Sequence, residues 1–181
     1  MRLSATIGAI GLALTLAGCG QPADTPTAAP TSTEPAKPAF AVDGPAVIQE
    51  VQSYGAPWND ARTSDPMVDT KTGGTVRVLN GAAGSAQVFS RRDGKVWQVK
   101  LVTGAPKNCG ESQPLLDALP KLAATLKPGA TISETQRNAV SDGLLTLGRK
   151  IQQMSGIAVT TQGGCTHWLT LAVPDPATAA T

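Results

Sequence analysis

Few side chains in this 181-residue chain combine the type and the spacing that chemistry requires. The single histidine, His167, stands two residues beyond Cys165, so a regular strand would carry both on one face. With Cys109 these residues offer three metal ligands, a Cys–His nucleophile pair, or one corner of a Ser-His-Asp triad. Each use needs something further. Structural zinc takes four ligands, and a nucleophilic thiol must be free and low in pKa. A triad is assembled in space, and no G-x-S-x-G elbow accompanies the histidine. No G-x-x-x-x-G-K-[ST] phosphate loop occurs, and the glycines of "NGAAGS" fit no dinucleotide fingerprint. Asp60, Asp65 and Asp69 share one polar stretch, but their spacing misses the alternate acidic ligands of a calcium loop. Beside Ser64 and Pro66 they read as turn formers. No metal and no cofactor is expected.

The first forty residues are more specific. Arg2 supplies a minimal positive region, and Ile7 to Leu16 form an apolar core. That core is too short to cross a hydrocarbon layer, which takes roughly 20 residues in a helix. It fits the apolar part of an export signal instead. Its end, Leu16-Ala17-Gly18-Cys19, resembles the lipobox of bacterial lipoproteins position for position. The resemblance implies a signal peptide over 1–18, a diacylglycerol on the Cys19 thiol, and cleavage just before that residue. It also implies the lipid bilayer as a partner. Each buried acyl methylene is worth about 0.8 kcal/mol, so two or three chains anchor firmly where one does not. In Gram-negative members of that family an aspartate after the cysteine favours the inner membrane. Gly20 stands here, which points to the outer membrane facing the periplasm, or to the outer face of the cell membrane if the source has one membrane.

Residues 19–39 form a Pro/Thr/Ala-rich linker that cannot repay its ordering entropy by burial. Residues 40–173 are then one domain of ordinary size, and 174–181 a tail. Removing a segment that contains Arg2 leaves 14 basic against 13 acidic residues, no footprint for nucleic acid. Aromatic content is 3%, so the core must rest on Leu, Val, Ile and Ala. Two cysteines remain in the domain, and an even pair in an oxidising compartment predicts a disulfide, Cys109 to Cys165.

The elements that must position these residues follow from periodicity. Val47, Ile48, Val51 and Tyr54 predict a short helix over 45–54, closed by Gly55 in a left-handed conformation. A polar, aperiodic loop from Ala56 to Gly74 follows, a length often found in binding loops. Trp58 and Met67 are its apolar members, each either a plug on the core or a contact residue. Alternation predicts strands over 74–80, 85–91 and 95–103, with turns at Asn80-Gly81 and Asp93-Gly94 and with Trp97, Val99 and Leu101 on one face. Two helices follow. The first carries Leu115 to Leu126, with Ser112 as N-cap and Pro120 predicting a kink or break. The second opens on a Ser133/Gln136 capping box and runs through Val140, Leu144, Leu147, Ile151 and Met154 to Ser155-Gly156. Strands over 156–161 and 165–173 close the chain. The expected fold is α+β, an antiparallel sheet of about five strands with helices packed on one face, in the order α-βββ-αα-ββ.

The stretch "VQSYGAPW" before a meander resembles small outer-membrane assembly lipoproteins at Tyr54, Gly55 and Pro57. The elements after Cys109 depart from that family, so the resemblance implies no functional residue. The functional expectation is a membrane-tethered, non-catalytic binding or accessory module for another envelope component, such as an envelope protein. Trp58 and Met67 mark its candidate binding loop. The alternatives are an envelope hydrolase using His167, and a surface inhibitor or small-ligand-binding lipoprotein.

Overall fold

A computed structural model describes residues 37–104 and 109–175. The segment 1–18, Cys19 and the linker up to residue 36 lie outside the described residues, as does the tail from 176. Among the described residues the fold is α+β, with three helices and a sheet whose strands all pair antiparallel.

Helix α1 (Gly44–Ser53) has Pro45 in its first turn, where a missing N–H costs nothing. It buries Val47, Ile48 and Val51 and stops at Gly55, whose φ of +85° is the left-handed conformation glycine adopts freely. Where a structureless loop was expected, two short strands form, β1 (Arg62–Thr63) and β2 (Met67–Val68). Both pair with β3 (Thr75–Asn80). Two-residue strands hold no alternation to read, which is why the sequence pattern missed them. A meander continues through β4 (Gly84–Ser90) and β5 (Val96–Thr103).

Helix α2 (Gln113–Leu126) is unbroken although Pro120 lies inside it. Ser112 occupies its N-cap position without a side-chain bond; its carbonyl accepts from Leu115 and Leu116 instead. Helix α3 (Glu134–Leu145) has the expected capping box, with Gln136 N–H donating to Ser133 Oγ and Ser133 N–H to Gln136 Oε1.

The main correction lies after Leu145. The expected helix does not run to Met154: residues 148–154 are a strand, β6 (Gly148–Met154). It pairs along its whole length with β7 (Ile157–Gly163), and β8 (His167–Ala172) completes the sheet. The sheet thus has eight strands, not about five, in the order β1-β3-β4-β5-β8-β7-β6, with β2 also on β3. Leu147 and Ile151 lie on the surface, 85% and 63% exposed. Their helical spacing from Val140 and Leu144 marked no common face. Ser155 and Gly156, read as a helix stop, are the β6–β7 turn. Their φ values of 50° and 72° put both central residues at positive φ, as the tightest hairpins require.

The helices cover one face of the sheet. Ala86, Val88, Val99, Leu101, Val159, Leu169 and Leu171 alternate inward to meet Leu115, Leu119, Leu122 and Leu144 in a single core. Among the described residues no helix lies on the other face. Trp97 departs from the expected alternation. The β4–β5 register pairs Phe89 with Gln98 but Ser90 with Val96, so Trp97 is the extra residue of a bulge. It stands outside the core cluster that holds Val99 and Leu101, its ring 5.5 Å from that of Phe89.

Candidate functional site

Cys109 and Cys165 are joined in a disulfide, Cα to Cα 4.4 Å, so neither thiolate is available as nucleophile or ligand. The bridge ties the segment after β5 to the segment before β8, which are neighbouring strands with Thr103 opposite His167. Gly110 N–H donates to the Cys165 carbonyl at 2.8 Å, closing the same junction.

His167 is half-buried beside the end of α3. Its Nδ1 lies 2.9 Å from the Leu144 carbonyl oxygen. A carbonyl only accepts, so Nδ1 donates. The contact satisfies one of the carbonyls that a helix end leaves unpaired. Gly163 marks the same close approach: a Cβ there would run into the carbonyl oxygens of Leu144 and Thr146.

The two residues of the expected binding loop are not brought together. Trp58 is 1% exposed, part of the core, and its indole N–H donates to the Ser85 carbonyl at 3.1 Å. Met67 is 50% exposed on β2. The loop's organising residue is Asp69. Its buried carboxylate accepts from the Lys71 backbone at 3.0 Å, Thr72 Oγ1 at 2.6 Å and Trp97 Nε1 at 3.2 Å.

A more developed site lies on the helix-free face. Alternation sends Gln98 and Lys100 outward from β5, Trp168, Thr170 and Ala172 from β8, Ala158, Thr160 and Gln162 from β7, and Arg149 and Ile151 from β6. The registers set them in rows. Arg149 is opposite Gln162, which is opposite Trp168. Ile151, Thr160, Thr170 and Lys100 form the next row. Ala158 and Thr160 on β7 and Thr170 and Ala172 on β8 are short, Gln162 and Trp168 close one end, and the longer Gln98, Lys100, Arg149 and Ile151 stand on the strands either side. The result is a trough of about 460 Å³ running along β7 and β8. Strands lie about 4.8 Å apart, so the backbones of β5 and β6 that carry its walls are about 14 Å apart.

The trough is cationic. Lys37, Lys71, Lys100 and Arg149 line it, against Asp175. Lys100 Nζ lies 3.3 Å from the Trp168 ring centroid, a cation–π contact that holds the ammonium at the wall. Burial pushes the Lys100 pKa down from its ordinary value. Lys37 Nζ caps the Trp97 ring at 3.7 Å. A smaller cavity of about 340 Å³ beside the disulfide is lined by Pro57, Ala82, Gly104 and Cys109, with Glu111 as its ionisable side chain. Donors and charge therefore converge on the trough. Sequence reasoning did not find it. The outward residues were visible in "KVWQVKLVT" and "HWLTLA", but only the strand order shows which of them are neighbours.

Comparison of the chain with protein-family models, curated proteins and solved structures returned no match.

Proposed function

We propose that this chain is a membrane-tethered envelope lipoprotein whose domain is a non-catalytic binding module, with the helix-free face of the sheet as its binding surface. The tether rests on the lipobox resemblance at Leu16 to Cys19 and on the apolar run before it. The binding assignment rests on one observation: a cationic trough built on four hydrogen-bonded strands and left uncovered by the three helices. Sites on strands are held more rigidly than sites on loops, which suits recognition. We therefore favour the surface around Lys100, Trp168 and Arg149 as the contact region over the loop of Trp58, a core residue, and Met67, which is half-exposed on β2.

The test is purification of the full chain from detergent-solubilised envelopes, with intact mass and copurifying components read by mass spectrometry. The account expects a polypeptide starting at Cys19 that carries acyl groups. It also expects an envelope component that is lost when Lys100→Glu and Arg149→Glu are combined. A mature mass without lipid would overturn the tether, and a component retained by the double variant would overturn the trough as its site.

A further inference from the structure

We propose that the trough binds an anionic saccharide, a chain or headgroup of sugars bearing carboxylate or phosphate groups; this deepens the binding-module reading above and rests on it. Charge complementarity sets the sign. Lys100 stands on one wall in the row of Thr170 and Thr160, and Arg149 on the other wall one row along, beside Gln162, so a ligand lying diagonally across these two rows meets a cation at either end. Arg149 presents the planar fork that matches carboxylate and phosphate oxygens, while Lys100 acts as a point charge fixed against Trp168.

The position of the trough selects the chemical class. It lies in the middle of the sheet, where the backbone groups of β8 and β7 are already paired on both sides. An extended acidic peptide gains its affinity by adding a strand to a free edge; the edge nearest the trough is the outer side of β6, and a peptide paired there would lie beyond the wall and not on the floor. Recognition here must pass through side chains. Those available beside the cations are hydroxyls of Thr160 and Thr170 and amides of Gln98 and Gln162, groups that bond sugar hydroxyls, together with the indole of Trp168. The volume is that of a site for a few sugar rings, within the roughly 300–1,000 Å³ usual for small-ligand sites.

The experiment is calorimetric titration of the full chain in detergent micelles with three probes: a linear tetramer of galacturonate, its uncharged methyl ester, and tetraglutamate. The tetra-uronate is expected to bind, with affinity falling as salt is raised, and the ester and the peptide at least tenfold more weakly. Arg149→Gln and Lys100→Gln are each expected to weaken the uronate by about tenfold, the loss for one charge-assisted hydrogen bond. Lys100→Arg should keep binding within a few-fold. Arg149 is exposed on an edge strand, so its variant reads binding without disturbing the core. Absence of uronate binding, equal binding of the methyl ester, or unchanged affinity in Arg149→Gln would overturn the proposal. Equal binding of tetraglutamate would replace the saccharide with an acidic peptide. If the saccharide fails while the charge-reversed variant still loses its envelope component, the binding module stands and only its ligand class falls.

Discussion

Tyr54 is the side chain whose surroundings change its own chemistry most. Burial first, and the charge of Glu50 second, raise the phenol far above its ordinary value near 10, against a smaller opposing effect of the Thr125 hydroxyl. The unfolded chain ionises this group near pH 10 and the folded chain does not. The contribution to stability is therefore intact below that pH and lost as pH rises beyond it. Tyr54 is the chain's one tyrosine, so an absorbance titration reads it alone. Tyrosinate is expected to appear together with alkaline unfolding; a titration near pH 10 with native circular dichroism would contradict its burial. Two other residues separate core from surface. Trp58→Ala removes a core side chain and is expected to cost about 3–5 kcal/mol in urea denaturation. His167→Ala, losing one hydrogen bond to a helix carbonyl, should cost about 1 kcal/mol. A far larger loss would show that His167 does more than latch β8 to α3.

At the scale of elements, β6 is the sharpest test. In a strand, Ile151 faces the open side and Met154 the core. Ile151→Thr is expected to change stability by no more than about 0.5 kcal/mol. Met154→Ala should cost about 2–5 kcal/mol, and Gly156→Ala about 1 kcal/mol through its positive φ. A helix would have made both apolar changes costly. The error here has a physical source. Val140, Leu144, Leu147, Ile151 and Met154 keep helical spacing across a boundary that only tertiary pairing sets. Strands β3, β4 and β5 were readable because their alternation is bounded by glycine turns, and α3 began where its capping box lies. The disulfide was readable from the even cysteine number together with the export that the lipobox resemblance implies. The trough was not, because its walls come from β5, ending at Thr103, and β6, starting at Gly148, far apart in sequence and three strands apart in the sheet.

At the largest scale, the described domain is a sheet with helices on one face, stapled between adjacent strands. The Cys109–Cys165 bridge spans a sequence separation of 56, and in the chain-entropy account a loop of this length contributes about 4 kcal/mol. The Cys109→Ser/Cys165→Ser double variant is expected to lose roughly that much in urea denaturation while keeping native circular dichroism. The described helices pack on one side of the sheet, so the binding proposed above would use the other face. The measurement that addresses this most directly is site-specific photo-crosslinking of the full chain in intact cells. A photoreactive residue replaces either Gln162, exposed beside the trough, or Ala124, exposed on α2. The account predicts an adduct from position 162 that disappears when Lys100 and Arg149 are charge-reversed, and none from position 124. Adducts from 124 with none from 162 would contradict it.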